Sequence, residues 1–155
     1  DERLSVLLVF DEGDDELIEP FIKHDLFMLG TDGIYQQGGQ VHPRVFGSVG
    51  RLLGALVRDK ELISLEQAIH RMTGFSADRF RLRQRGQIKQ GWFADITAFD
   101  PQEIIDRSTY EDPQQLTVGV KHVLVNGVPV YGNDGPIQNE RPPGRAIFVD
   151  QRSNI

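Results

Sequence analysis

Two short stretches hold the residues best placed to do chemistry: Gly30-Thr31-Asp32-Gly33 and, in the loop that follows, His42-Pro43-Arg44. An apolar run, Leu26-Phe27-Met28-Leu29, precedes them and reads as a strand. A carboxylate at the C-terminal end of a buried strand is where α/β barrel enzymes keep catalytic groups. There Asp32 is a candidate general base or metal ligand. Beside a divalent metal it stays ionised, accepts a proton from bound water and delivers it to a leaving amine. Arg44 can grip a carboxylate by two parallel hydrogen bonds. The local pattern leaves a bland alternative open. An aspartate between glycines is equally a turn former, bonding its own backbone. A loop arginine and its neighbouring histidine are more often solvated, although His42 and Arg44 share a glycine-rich loop with Asp32.

Other chemistries find no support. Cysteine is absent, which removes disulfides, zinc–thiolate sites and thiol nucleophiles. His24, His70 and His122 form neither His-x-His nor His-Glu-x-x-His and are expected to be structural or exposed. Gly47-Ser48-Val49-Gly50 is no nucleophile elbow, and Gly86 to Gly91 lacks the Gly-Lys-Ser/Thr of a phosphate loop. A net charge of -6 argues against non-specific nucleic-acid or anionic-membrane binding. The four arginines of Arg79 to Arg85 are expected on a solvated helix face, and Trp92 at a turn.

The elements that must position Asp32 and Arg44 can be read from periodicity. Residues 4–10 suit a strand buried on both faces. Asp14 or Asp15 is placed to cap a helix whose apolar residues are Leu17-Ile18 and Phe21-Ile22, with Pro20 tolerable only near its start. A strand at 26–31 completes a βαβ unit. Residues 32–50, with five glycines, read as a long loop, and a helix follows from Leu52 to about Asp59. Ser64-Leu65-Glu66-Gln67 has the form of a capping box, opening a helix that Gly74 ends, with a short helix near 76–82. Beyond Gly86 the pattern turns to strands: 87–91, 94–100, then 118–125 and 128–131 around Asn126-Gly127, a strong hairpin signal, with Gly132 to Gly135 as another turn. The 155 residues are 39% hydrophobic and 26% charged, as in a folded soluble chain, with a cytoplasmic setting expected. The start at Asp1, without Met, suggests an internal or processed piece.

A resemblance joins these motifs. The two opening stretches, Ser64-Leu65-Glu66-Gln67-Ala68 with Met72-Thr73, Gly86-Gln87-Ile88-Lys89-Gln90-Gly91-Trp92-Phe93-Ala94-Asp95-Ile96, Phe99-Asp100-Pro101, Tyr110-Glu111-Asp112-Pro113 and Val123-Leu124-Val125-Asn126-Gly127 resemble the C-terminal part of the N-acyl-D-amino-acid deacylases (D-aminoacylases) of the amidohydrolase superfamily. The resemblance implies an α/β fold. Residues 1–85 would supply the last strands and helices of a (β/α)8 metal-dependent hydrolase barrel, with 4–10 a late strand and 26–31 the eighth. Residues 86–155 would form the C-terminal part of a small β-sandwich.

The resemblance also implies an activity: hydrolysis of the amide bond of an N-acyl-D-amino acid to a carboxylate and a D-amino acid, with zinc as cofactor. Asp32 would lie near the metal as ligand and general base and acid. Arg44 would hold the substrate α-carboxylate, with His42 shaping the same loop. The remaining zinc ligands of the family, an early His-x-His, a cysteine or modified lysine and later histidines, would lie upstream of residue 1. The expected partners are therefore the small-molecule substrate and the missing N-terminal part of the enzyme, in the same or another chain, with the isolated chain inactive. The alternatives are a cyclic-amide hydrolase of dihydropyrimidinase or dihydroorotase type, and an inactive fragment serving as an interaction module.

Overall fold

The computed structural model describes residues 14–35 and 41–147. The strand expected at 4–10 lies outside them. The described residues form helices α1 (Asp15–Lys23), α2 (Arg44–Arg51), α3 (Leu65–Met72) and α4 (Gly74–Arg79), a π-helical stretch Leu52–Asp59, and strands β1 (Ile96–Phe99), β2 (Val120–Val125), β3 (Val128–Gly132) and β4 (Gly135–Pro136). They fall into two compact units that interleave along the chain. One holds the described residues to Leu65 together with Pro101–Gly119; the other holds Glu66–Asp100 together with the described residues from Val120.

In the first unit, α1 starts as its sequence foretells: the Asp14 carboxylate accepts the Glu16 N–H at 2.9 Å. Pro20 sits inside the helix rather than at its start, which leaves the carbonyl one turn earlier without that donor. The segment 26–31, expected to be a strand, is not one: it runs without regular secondary structure, with Leu26 66% exposed. A parallel barrel strand needs a hydrogen-bonded neighbour on each side, and none of the described strands pairs with this segment.

The glycine-rich stretch also departs from expectation. Its second half is helix: α2 opens at Arg44 and runs on into the π-helical stretch to Asp59. Gly47, Gly50 and Gly54 recur at helical spacing, and a side chain on any of them would meet the segment 104–108. A Cβ on Gly54 would lie 2.4 Å from the Ile104 carbonyl oxygen, and one on Gly50 2.7 Å from the Asp106 nitrogen. These residues are glycine because the returning chain lies on the helix where Cβ atoms would stand. The low intrinsic helix propensity of glycine is offset by burial of Leu52, Leu53, Leu56, Val57 and Ile104. Arg58 closes the contact, donating from Nη1 to the carbonyls of Ile104 (2.7 Å) and Gln102 (3.2 Å). The segment then doubles back through paired backbone bonds between Ile105 and Val118.

In the second unit the four strands form an antiparallel meander in the order β1-β2-β3-β4. The hairpin signal is accurate: Asn126 (φ 49°) and Gly127 (φ 82°) both take left-handed backbone, as a type I′ turn requires. Residues 87–91 form no strand, and the stretch ends in a turn at Gln90-Gly91. The arginine run is not a helix face either, since α4 ends at Arg79 and both Arg81 and Gln84 have positive φ. Its last member is structural. Arg85 pairs with the Asp95 carboxylate, donates to the Asn126 side chain at 2.9 Å and lies 4.3 Å from the centre of the Phe93 ring. Asn126 in turn donates its side-chain N–H to the Pro143 carbonyl at 2.7 Å. Trp92 sits at a turn, with the Lys89 ammonium 4.7 Å over its ring.

Candidate active site

Asp32 has left-handed backbone (φ 44°), a conformation that aspartate tolerates better than most residues. Its side chain is directed outward, 76% exposed. Arg44 reaches back across the loop to it. The guanidinium Nε donates to the Asp32 carbonyl at 2.9 Å, and Nη2 lies 3.0 Å from the carboxylate Oδ2. The two residues singled out by type and spacing are thus brought together. With both side chains this exposed, water screens the pair and its contribution to stability is small; its effect is positional. Asp32 holds the Nε side of the guanidinium, and the Nη1 end, two further N–H groups, points away from that grip.

His42 is fixed from both sides. Nδ1 accepts the backbone N–H of Arg44 at 3.0 Å, so in the neutral ring the proton is on Nε2, which lies 3.2 Å from the Tyr110 hydroxyl. The two rings meet edge to face, with centroids 5.2 Å apart. A cavity of about 590 Å3 opens here, lined among others by His42, Arg44, Arg51, Asp106, Tyr110 and Glu111. That volume suits a small-molecule ligand. Asp32 is not among its lining residues; it meets the cavity through Arg44.

Tyr110 is the residue that motif reasoning left without a role. It reaches the site because the segment 104–118 folds back onto α2 over the glycines, a long-range contact with no local signature. The other histidines are placed as expected. His24 accepts the Leu26 N–H, His70 lies beside Phe75, and His122 is on the exposed side of β2. No cluster of three metal-ligating side chains occurs among the described residues. Asp32 can offer a carboxylate to a metal, but the described residues do not make a zinc site by themselves.

Comparison with known proteins places the chain in a class. Residues 22–131 match the amidohydrolase family, and the chain belongs to it. It is 37% identical over 88% of its length to the N-acyl-D-glutamate deacylase of Alcaligenes xylosoxydans xylosoxydans, and 39% identical over 82% to the D-aminoacylase of the same organism. Among solved structures it resembles D-aminoacylase (TM-score 0.80, 34% identity, 86% of this chain and 28% of that one). It also resembles the N-acyl-D-glutamate deacylase of Bordetella bronchiseptica complexed with zinc and a phosphonate mimic of the tetrahedral intermediate (TM-score 0.76, 38% identity, 83% and 27%). The chain spans about a quarter of the length of the curated relatives it matches: 27% and 25% of the two above.

Proposed function

We propose that this chain forms part of a hydrolase that cleaves N-acyl-D-amino acids to a carboxylate and a D-amino acid. The observation that carries this is the Asp32–Arg44 pair beside a ligand-sized cavity, in a chain similar to three deacylases of that substrate class. Asp32 accepts a proton from the attacking water and returns it to the departing amino nitrogen, a role for which its exposed carboxylate is placed. Arg44 keeps its grip on Asp32 from the Nε side and receives the substrate α-carboxylate at its Nη1 end, which sets the free carboxylate and the base at a fixed separation. Those relatives are deacylases, which favours this reading over a cyclic-amide hydrolase.

Zinc is the proposed cofactor, as in the Bordetella relative. When bound, such a metal makes a coordinated water acidic enough to ionise near neutral pH. The ligands other than Asp32 are assigned to sequence outside the described residues. The division at residue 85 between barrel and sandwich parts is proposed with them. Leu17 (66% exposed) and Phe21 (72%), on one face of α1, and Leu26 (66%) after it are apolar side chains that the rest of such a barrel would cover, in the same chain or another. No helix of the described residues is long and apolar enough to cross a membrane.

The test is kinetic, in the complete enzyme that carries this chain. Asp32→Asn abolishes turnover of N-acetyl-D-amino acids and leaves substrate binding intact, a loss of about 100-fold or more for a general base. Near-normal turnover would sink the role. Arg44→Ala raises KM far more than it lowers kcat; an unchanged KM would remove Arg44 from the substrate site. Turnover of dihydropyrimidines in place of N-acyl-D-amino acids would reassign the substrate class.

A further inference from the structure

We infer that Tyr110 and His42 act as a positioning pair for Arg44, clamping the first residue of α2 so that its guanidinium meets the substrate carboxylate; this rests on the substrate role of Arg44 proposed above. The first N–H groups of a helix have no partner within it. The residue ahead of Arg44 is Pro43, which has no N–H, and the cap position supplies no side-chain acceptor. The acceptor comes from one residue earlier: His42 Nδ1 takes the Arg44 N–H at 3.0 Å. Only an imidazole whose proton is on Nε2 can do this, and at Nε2 stands the Tyr110 oxygen, 3.2 Å away. The Arg44 N–H thus sets the tautomer, and Tyr110, accepting from Nε2–H, holds the ring orientation and through it the backbone of the residue that carries the guanidinium.

Tyr110 itself is held in a turn. Thr109 N–H donates to the Asp112 carbonyl at 3.2 Å, and the Asp112 N–H donates to the Thr109 hydroxyl at 3.0 Å. The segment leading to this turn seats on α2 over Gly47 and Gly50, and Thr117, in the segment leaving it, donates to the Phe46 carbonyl at 3.2 Å. Arg44 and Tyr110 are thus joined twice, through His42 and through the helix. A guanidinium at the end of a long flexible side chain loses effectiveness when its own backbone can shift, because the geometry of a bidentate grip is narrow.

The experiment is a double-mutant cycle in the complete enzyme, with initial rates on an N-acetyl-D-amino acid. Tyr110→Phe preserves shape and removes only the oxygen. It raises KM about five-fold, the equivalent of one hydrogen bond, with kcat within about two-fold. His42→Ala raises KM further. His42→Asn, whose side-chain oxygen can stand where Nδ1 stood, recovers most of that loss. In an Arg44→Ala background, Tyr110→Phe has no further effect, because the residue it positions is gone. Nitrogen NMR shifts of the His42 ring place the proton on Nε2.

A fall in kcat at unchanged KM in Tyr110→Phe overturns the inference. So does an undiminished KM effect in the Arg44→Ala background, a failure of His42→Asn to improve on alanine, or a proton on Nδ1. If Arg44→Ala raises KM while Tyr110→Phe and His42→Ala do not, the positioning pair falls and the substrate role of Arg44 stands. If Arg44→Ala leaves KM unchanged, the substrate role falls and the inference with it.

Discussion

Replacing Gly54 by alanine tests the packing that delivers Tyr110 to the site. On helix propensity alone the change stabilises, by about 1 kcal/mol. The surroundings say otherwise. The new methyl would lie 2.4 Å from the Ile104 carbonyl oxygen, 2.7 Å from Ile105 Cδ1 and 3.1 Å from Ile105 Cα. The nearest atom belongs to the backbone, so no rotamer change relieves it. It also accepts the 2.7 Å hydrogen bond from Arg58 Nη1, which a shifted chain would stretch. Overpacking typically costs about 1–3 kcal/mol, and a backbone clash belongs at the upper end. Set against the propensity gain, the net loss is about 2 kcal/mol, or roughly 4–8 °C in Tm for a protein of this size.

Gly47→Ala is the internal control. Its methyl would meet Asp106 Cβ and Oδ2 at 3.2 Å and Ser108 Cβ at 3.3 Å, side-chain atoms that can give way. Gly47→Ala should therefore lie within about 1 kcal/mol of the parent, where propensity gain and crowding nearly cancel. Urea unfolding of both variants, followed by circular dichroism, measures the difference. Equal or higher stability of Gly54→Ala would refute the claim that the returning segment determines glycine there.

Further outcomes follow from other parts of the structure. Asn126→Gly keeps the left-handed turn but loses the bonds to Arg85 and Pro143, and should cost about 1–3 kcal/mol by thermal melting; Asn126→Ala should cost more, since alanine also resists positive φ. Asp14→Ala removes the cap of α1 and should cost about 1 kcal/mol, read by urea titration. The Arg58 guanidinium, through its hydrogen bond, holds the exposed Asp59 carboxyl below its ordinary value. A lowered carboxylate stabilises above the unfolded pKa, about 3.9, and that contribution disappears as pH falls through the lower folded value. The stability difference between the parent and Asp59→Asn should therefore be flat from neutral pH to about 5 and shrink in acid.

Local chemistry was legible wherever the cause was local. The Asp14 cap, the helix after Ser64 and the Asn126-Gly127 turn are dictated by neighbouring residues, and each is where the sequence places it. The errors share one origin, which is contact with residues far away in the chain. Gly47, Gly50 and Gly54 read as loop formers because a sequence window cannot show the chain at Ile104–Asp106 lying against them. Leu26 to Leu29 read as a buried strand because apolar runs imply ladder partners that the described residues do not supply. Arg85 read as a solvated charge because Asp95 and Asn126 are brought to it only by the fold. Of the candidate site, Asp32, His42 and Arg44 stood out by type and spacing, and the structure brings them together. Tyr110 lay within a motif of the resemblance, yet its position beside His42 depends on the glycine stripe.

The interleaving of the two compact units has a consequence for anyone dividing this chain. Because Pro101–Gly119 belongs with the residues before Leu65, while the stretches on either side of it build the meander, no single cut releases either unit whole. A truncation at residue 85 would strip α2 of the segment that covers its glycines and would take Tyr110 away from His42. Recombination between homologues faces the same restriction. A crossover between 65 and 101 pairs the glycine-bearing helix of one parent with the covering segment of the other, so Gly54 and Ile104 must be inherited together.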